Sequence, residues 1–314
     1  MGAGGRSNYH NTGVPKALAA LRRSFGGALA QSGLKGGLKG TDACFGLAGL
    51  DSPEDFATMK RAIASMRLAP GETTRRADLV ENDWRTAVAG AFIDEPGVTL
   101  IAGTGCVAAA QGDGGRRVVR VGGWGHVVDD RGSAYDIGRE ALYAAMRDYD
   151  GRGPKTALLN LVMQKLGVDE PKGIIARVYA EHMPVSKVAS LSTLVSQAAG
   201  EGDAVALQVL KEKGRVLGEL VVSAASRLKM LDTPFGVSLV GGVFRGGRPI
   251  LGPMEERIHA SAPRAGIVEA KLPPVCGAVV LLLRRVGVEV DGELVARMRS
   301  SFDRQSRVSL QGTR

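Results

Sequence analysis

Residues 98–105 read VTLIAGTG, a short apolar run that ends in a Gly-Thr-Gly turn. Its length and the glycines that bound it predict a buried strand. Two other predicted strands also end in distinctive turns, Asn-Asp at 82–83 and Gly-Gly at 241–242. In open α/β sheets, ligands lie beyond the carboxyl ends of strands, where small residues let backbone N–H groups approach an anion. The three turns are therefore candidate ligand-binding positions.

The rest of the chain alternates strands with helices, which predicts an α/β fold. Apolar spacing and turn residues predict further strands at 43–50, 76–80, 116–121 and 236–242, with an edge strand at 266–272. They predict helices at 14–32, from 53 onward, at 84–92, 134–149 and 277–287, and over most of 155–230. Ser52 and Asp55 have the spacing of a capping box, which sets the start of the second helix.

Composition limits the class of protein. The chain has 314 residues, of which 44% are hydrophobic and 23% charged, enough for two domains with sizeable cores. It has neither a membrane-length apolar run nor a signal-peptide pattern, so we expect a cytoplasmic protein without a membrane partner. The net charge is +9, but the basic residues are dispersed and aromatic residues make up 4%, which argues against nucleic-acid binding.

The cysteines show no metal-binding spacing. Cys44, Cys106 and Cys276 lie far apart in the sequence, in apolar surroundings. We expect free, buried thiols.

A second stretch, GGWGHVVDDRGSAYDIG at 122–138, is too polar for a core strand and too rich in glycine for a helix. It holds one of only two tryptophans in the chain. Loops of this composition are often binding loops. We therefore expect the stretch to be a shaped loop that holds a ligand.

Seven blocks of sequence, in this order, carry a resemblance that runs from about residue 4 to 287. They are GGRSNYHNTG (4–13), GLAGLDSPED (46–55), NDWRTAVAGAF (82–92), LIAGTGCVAAA (100–110), GGWGHVVDDRGSAYDIGREAL (122–142), DGRGPKT (150–156) and VSLVGGVF (237–244). Together they resemble the N-acetylglucosamine kinase and BadF/BadG/BcrA/BcrD ATPase family. The resemblance implies the actin-like, hexokinase-type ATPase fold, in which two ribonuclease-H-like domains flank a nucleotide and sugar cleft, with ATP and Mg²⁺ as cofactors.

The resemblance also implies a domain division. Residues 1–97 would form the small N-terminal domain, residues 98–290 the large C-terminal domain with a helical insertion, and residues 291–314 a polar tail. A homodimer is expected from the family alone.

Site residues carry over by position. Asp83 matches the catalytic aspartate, which fits the need for a carboxylate that takes the proton of a sugar hydroxyl. The positions that match sugar contacts are Asn8, Cys106, Val107, Trp124 and Asp130. The positions that match nucleotide contacts are Gly103, Thr104, Gly105, Ala199, Gly241 and Gly242. No metal ligand is assigned.

Three of the loop and turn residues also have a purely structural interpretation. Asp83 also suits the N-cap of a helix, and Trp124 also suits a loop anchor. For His126 we favour a loop histidine with satisfied hydrogen bonds.

The chain departs from the family in two places. The family's loop usually reads Gly-Asp-Glu-Gly-Ser, whereas Asp129 and Arg131 replace the glycine and the glutamate here. That exchange could alter sugar or phosphate preference, or the two side chains could simply pair with each other or with neighbours. The family also opens with a strand and an Asp-Gly-Gly-Gly-Thr turn before a second strand. We find no such element and expect the first strand pair to be missing, with the natural chain beginning upstream of Met1.

These observations favour an ATP-dependent kinase that phosphorylates an N-acetylhexosamine, most specifically N-acetylglucosamine at its 6-hydroxyl. Glucosamine is an alternative substrate. The chain as written could instead be a truncated, non-catalytic protein that binds sugar or nucleotide. An ATPase activator of a 2-hydroxyacyl-CoA dehydratase is the least favoured alternative, since the three cysteines do not form the expected pair.

Overall fold

A computed structural model of the chain describes residues 4–5, 7–32, 42–66, 78–180 and 182–311. The chain forms two compact units. Unit 1 comprises Met1–Asp94 and Ala270–Arg314, and unit 2 comprises Glu95–Glu269.

The described part of the chain contains seven strands and thirteen α-helices. The strands are β1 (Cys44–Leu47), β2 (Leu79–Asn82), β3 (Gly97–Ala102), β4 (Cys106–Gly112), β5 (Arg117–Gly122), β6 (Phe235–Val240) and β7 (Ala265–Ile267). The helices are α1 (Tyr9–Thr12), α2 (Val14–Gln31), α3 (Pro53–Ala64), α4 (Asp83–Phe92), α5 (Ala134–Tyr149), α6 (Leu158–Leu166), α7 (Gly173–Ile175), α8 (Val185–Ser190), α9 (Ser192–Gly200), α10 (Ala204–Arg227), α11 (Arg248–His259), α12 (Pro274–Arg285) and α13 (Gly292–Gln311). The mixed α/β fold class expected from the sequence is confirmed.

Most predicted elements are present, with shifted ends. The capping box is formed, because the Ser52 hydroxyl accepts from the Asp55 N–H and the Asp55 carboxylate accepts from the Ser52 N–H. The strand expected at 76–80 is found at Leu79–Asn82, while residues 76 and 77 lie outside the described ranges. The strand expected at 43–50 is shorter, at Cys44–Leu47.

One strand was missed by the sequence analysis. Strand β4 contains three consecutive alanines, which have little preference for strands. It forms because it is almost wholly buried and pairs antiparallel with β3 on one side and with β5 on the other. Tertiary pairing thus outweighs local propensity in this segment.

Unit 1 is built on a pair of parallel strands, β1 and β2. One apolar cluster joins the strands to α3 through Phe45, Val80, Met59 and Ile63. A second cluster joins α4 to α12 through Ala89 and Val280. Residues 270–290 therefore pack in unit 1, whereas the sequence-based division assigned them to the second domain.

Unit 2 contains a five-stranded mixed sheet in the order β5-β4-β3-β6-β7. Strand β3 is central, antiparallel to β4 and parallel to β6, and Leu100 at its middle is fully buried. Helices α5 and α10 contribute to the same apolar core. Strand β7 is the edge strand expected from the sequence, although it covers only Ala265–Ile267.

Within the described ranges, the structure contains no helix of the length and apolar character that a membrane span requires.

The close contact between α4 and α12 generates a stability prediction. A Cβ at Gly277 would lie 1.9 Å from the carbonyl oxygen of Thr86, a backbone atom that cannot move aside. Gly277→Ala should therefore lower the free energy of unfolding by about 3 kcal/mol through overpacking.

The matched control is Gly26→Ala, because Gly26 lies inside α2 and a Cβ added there would meet no described heavy atom within 4 Å beyond its own helix. It should raise the free energy of unfolding by about 0.5–1 kcal/mol, since alanine favours the helix over glycine. Thermal unfolding followed by circular dichroism measures both variants. Equal effects of the two substitutions would contradict the packing explanation.

Candidate functional site

Unit 1 brings Asp83 to the carboxyl edge of its strand pair. Strands β1 and β2 run parallel and end in register, with Leu47 opposite Asn82. The Asn82 side chain donates to the carbonyl of Leu50 at 2.9 Å, which ties the turn after β1 to the end of β2. Asp83 follows as the first residue of α4 and is exposed, and the N-cap position belongs to Asn82. The alternative of Asp83 as an N-cap is therefore wrong.

The N-terminal segment brings Asn8 to the same turn. Asn8 caps α1, its Oδ1 accepting from the N–H of His10 at 3.1 Å. Gly49 in the turn after β1 lies so close that a Cβ there would be 2.9 Å from Asn8 Oδ1. His10 Nε2 lies 3.1 Å from the carbonyl oxygen of Gly49. Asn8 and Asp83 thus both lie next to the turn that joins β1 to α3.

Asp55 anchors this N-terminal segment, a role that the sequence analysis did not foresee. The Tyr9 hydroxyl donates to Asp55 Oδ1, and His10 Nε2 lies 3.2 Å from the same oxygen. The Tyr9 hydrogen bond, helped by donors from Ser52 and Asp51, lowers the pKa of Asp55 to about 2. The same bond raises the pKa of Tyr9 to about 12. The only indication of this contact in the sequence is Tyr9, an aromatic residue with a hydroxyl group directly after Asn8.

Unit 2 brings the two glycine turns together. Strands β3 and β6 are parallel neighbours, with Ile101 opposite Val240. Gly241 follows β6 with φ +121°, and a Cβ there would lie 2.2 Å from the carbonyl oxygen of Ala102. Only glycine fits that approach. The Gly-Thr-Gly and Gly-Gly turns therefore share one edge of the sheet.

The Gly-Thr-Gly turn is a tight link between β3 and β4. The N–H of Gly103 donates to the carbonyl of Gly105 at 2.9 Å, and the carbonyl of Gly103 accepts from the N–H of Ala134 at 2.8 Å. Thr104 is exposed at the tip, so its hydroxyl is accessible to a ligand. The Ala134 bond also ties this turn to the start of α5.

Asp130 lies directly against this turn. A Cβ at Gly105 would be 2.6 Å from Asp130 Oδ2, so glycine is what lets the carboxylate approach. Asp130 is 7% exposed and has φ +63°, and its Oδ1 is buried with no hydrogen-bond partner among the described residues. Burial raises the pKa of Asp130 despite backbone N–H groups of Cys106 and Gly125 that lower it. Such a carboxylate is suited to accept hydrogen bonds from a ligand.

Trp124 is presented toward solvent on the same loop. Its side chain is 60% exposed, and the Arg120 guanidinium lies 4.8 Å from the ring centroid. Arg120 is itself held by bonds to the carbonyls of Gly122 (3.1 Å) and Gly123 (3.0 Å). Trp124 is therefore no buried anchor. An exposed aromatic face supported by a fixed cation suits the packing of a ligand ring.

Two further residues of this loop, His126 and Arg131, have partners within unit 2. The His126 ring packs edge-on against Tyr135 with centroids 4.8 Å apart. Arg131, the residue that replaces the family's glutamate, pairs with Glu212 at 3.0 Å. The charge reversal at position 131 is thus balanced by a neighbour on α10.

Cys106 and Val107 begin β4. The Cys106 thiol is buried and donates to the carbonyl of Arg131 at 3.1 Å, and burial raises its pKa. All three cysteines are free, as expected, although Cys44 and Cys276 are only half-buried. Among the described residues, the structure contains no group of three side chains arranged to hold a metal ion.

Ala199, the other position matched to a nucleotide contact, lies on a helix and not in a glycine turn. Its side chain is buried in the apolar core of unit 2 on α9. The same helix reaches the turn at 242–246 through Ser196, whose Oγ lies 3.3 Å from where a Gly246 Cβ would be. Ser196 was not singled out from the sequence.

Comparison with known proteins shows which family and which solved structures the chain is similar to. The family model described as the BadF/BadG/BcrA/BcrD ATPase family matches residues 2–281. An N-acetylmuramic acid/N-acetylglucosamine kinase from Clostridium acetobutylicum is 31% identical over 238 residues, 76% of each chain. An N-acetyl-D-glucosamine kinase from Dictyostelium discoideum is 27% identical over 291 residues, 88% of each chain. A Chromobacterium violaceum crystal structure, provisionally named N-acetylglucosamine kinase, superposes with a TM-score of 0.69 at 25% identity, covering 89% of this chain and 88% of that one.

The buried Asp130 generates a pH-dependent prediction. Its pKa in the folded state is raised above the unfolded value, so ionisation opposes folding and stability falls as the pH rises through that window. Asp130→Asn should therefore gain stability relative to the wild type as the pH rises to 7, because the amide carries no buried charge. The gain should shrink as the pH falls toward the ordinary carboxyl pKa.

Thermal unfolding at pH 7 and at a pH near the ordinary carboxyl pKa, about 4, measures this effect. The control is Asp232→Asn, an exposed aspartate of the same unit, which should change stability by less than about 0.5 kcal/mol at either pH. A loss of stability of the Asp130→Asn variant relative to the wild type as the pH rises would show that the carboxylate is well paired in the folded state.

Proposed function

Because this chain belongs to the BadF/BadG/BcrA/BcrD ATPase family, we propose that it is an ATP-dependent sugar kinase that phosphorylates N-acetylglucosamine at the 6-hydroxyl. The observation that carries the proposal is the arrangement around Asp130. A buried carboxylate with an unpaired oxygen lies against a Gly-Thr-Gly turn, on a loop that also presents an exposed tryptophan face. A polyhydroxylated ring supplies both the hydrogen-bond donors and the apolar face that these groups lack.

The loop with Trp124 and Asp130 contacts the sugar on this proposal. Trp124 packs against the ring, and Asp130 accepts a hydrogen bond from a sugar hydroxyl. The backbone of Cys106 and Val107 lines the sugar side at the start of β4. Hydrogen bonds from sugar hydroxyls to Asp130 would stabilise its charged form, which burial disfavours in the free protein.

Asp83 is the base on this proposal. Asp83 orients the 6-hydroxyl and takes its proton as the sugar oxygen bonds to the γ-phosphorus of ATP. The bond from that phosphorus to the bridging β–γ oxygen breaks, and ADP leaves with the electron pair. Asn8, held next to the turn after β1, donates to or accepts from the sugar.

The glycine turns of unit 2 supply the nucleotide contacts on this proposal. Thr104, between Gly103 and Gly105, contacts the phosphates with its exposed hydroxyl. Gly241 and Gly242 lie at the adenosine, with Ala199 as a contact from α9. Kinase Mg²⁺ is usually held by one or two carboxylates plus substrate phosphates, so on this proposal Mg²⁺ binds together with ATP. It supplies charge neutralisation of the phosphates.

The proposal extends to the fold. We assign the two units to the two ribonuclease-H-like domains of the actin-like ATPase fold, with residues 270–290 in the first. The Cys106 thiol is buried and Cys44 and Cys276 are partly buried, so they give no support to an activator that bridges an iron–sulfur cluster through exposed thiols. Cytoplasmic location and a homodimer remain predictions.

N-acetylmuramic acid is a second candidate acceptor, because the Clostridium acetobutylicum relative is named for both sugars. The test is a coupled assay of ADP release with N-acetylglucosamine, N-acetylmuramic acid, glucosamine or no sugar. We expect ADP release with N-acetylglucosamine well above the sugar-free rate. Sugar binding by calorimetry without any ADP release would identify the non-catalytic alternative, and a faster rate with glucosamine would reassign the substrate.

The proposed base generates a further prediction. Asp83→Asn keeps the size of the side chain and removes its ability to take a proton, so turnover should fall by about two orders of magnitude or more. Sugar affinity measured by calorimetry should change little. The matched control is Asp169→Asn, an exposed loop aspartate of unit 2, which should retain full turnover. Near-normal turnover of the Asp83→Asn variant would refute the assignment.

A further inference from the structure

Lys213 is a buried charge that the proposed reaction does not use. It lies on α10 with 1% of its surface exposed. The neighbouring residues Leu210 and Leu217 on the same helix are buried in the apolar core. The Lys213 ammonium lies 2.9 Å from Glu140 Oε1, 3.1 Å from Asp136 Oδ2 and 3.6 Å from Glu212 Oε1. The charge is therefore surrounded by acids from α5 and from its own helix.

Such a lysine is costly to bury. Desolvation alone lowers the pKa of Lys213, and the net shift is upward only because Glu140 and Asp136 favour the charged form. Replacing a buried ion pair by apolar residues is often neutral or stabilising, so packing alone does not account for a lysine here. A positional role is a better explanation.

The position that Lys213 controls is that of the Asp136 carboxylate. Asp136 Oδ2, which contacts the ammonium, also accepts the N–H of Gly132 at 2.9 Å. The other oxygen, Oδ1, is paired with Arg139 at 3.1 Å. One carboxylate oxygen therefore links α10 directly to the backbone of the loop at 130–133.

That backbone determines where Asp130 points. The N–H of Ser133 donates to the carbonyl of Asp130 at 3.1 Å, and the Ser133 hydroxyl caps α5 by accepting from the N–H of Asp136 at 3.2 Å. Asp130 has φ +63°, a conformation that a non-glycine residue keeps only when its surroundings hold it there. The bonds at Gly132 and Ser133 are the surroundings that do so.

A second link between α10 and the loop is weaker. Arg131 pairs with Glu212 at 3.0 Å, but both side chains are more than half exposed. Exposed ion pairs contribute little because water and salt screen them. The buried contact at Asp136 is the stronger restraint on the turn.

We infer that Lys213 is a positioning residue for the sugar site: through Asp136 and Gly132 it holds the turn at 130–133 so that the Asp130 carboxylate keeps its place against Gly105. This inference rests on the proposed function, since that is where Asp130 is given its role as a sugar contact. Lys213 acts through Asp136 and touches neither sugar nor nucleotide.

The test is Lys213→Met in the full chain, which keeps the length of the side chain and removes its charge. The matched control is Lys211→Met, an exposed lysine on the same helix. Hydrogen–deuterium exchange of the ligand-free proteins reports on residues 129–134, and calorimetry measures N-acetylglucosamine and MgATP separately. Lys213→Met should speed exchange at 129–134 and weaken sugar binding about tenfold or more, with MgATP affinity within about twofold. Lys211→Met should change none of these.

A second variant covers the case in which Lys213→Met does not fold. Lys213→Met combined with Glu140→Gln leaves Asp136 balanced by Arg139, so it should fold better and still show fast exchange at 129–134 and weak sugar binding.

Unchanged exchange at 129–134 in either folded variant, or equal losses of sugar and MgATP affinity, would overturn the inference. A wild-type protein that neither binds nor phosphorylates an amino sugar would overturn the proposed function. The exchange measurement would still decide whether Lys213 holds the turn.

Discussion

The parallel pairing of β3 with β6 is the constraint on which the ligand-binding edge of unit 2 depends. Parallel strands end at the same edge, so the register that places Ile101 opposite Val240 also brings the two glycine turns together. The approach of Gly241 to the carbonyl of Ala102 leaves no room for a side chain. A residue with a Cβ there would separate the strand ends, and the phosphate and adenosine contacts proposed for the two turns would move apart.

Around this edge, the structure accepts unfavourable burial where the proposed chemistry needs it. Asp130 is buried with an unpaired oxygen, and Lys213 is buried among acids, so both charged groups carry a desolvation cost. The two are connected through Asp136 and Gly132. A binding site gains from such groups because they are already in place when the ligand arrives, and the cost of ordering them is met during folding.

In unit 1, hydrogen bonds from neighbouring elements hold the turn after β1 and the candidate site residue Asn8 in place. Its strand pair is short, and the turn after β1 is held by Asn82 from one side and by the N-terminal segment from the other. Asp55 connects helix α3 to the N-terminal segment, because its carboxylate completes the capping box of α3 and also accepts a hydrogen bond from the Tyr9 hydroxyl. The position of Asn8 thus depends on a helix cap that the sequence analysis had identified only as a local start signal.

The sequence by itself determined the α/β class, most helices and strands, the capping box at Ser52, and the family to which the chain belongs. These follow from local patterns of apolar spacing, glycine turns and ordered motifs, which do not depend on distant contacts. Only the tertiary structure decided that the three alanines of β4 form a strand, that residues 270–290 pack in unit 1, and that Arg131 pairs with Glu212. It also decided that Lys213 meets Asp136 from a distant part of the sequence, because burial and charge pairing are set by which elements pack together. No periodicity or motif around Lys213 or around Asp136 indicates that the two side chains meet.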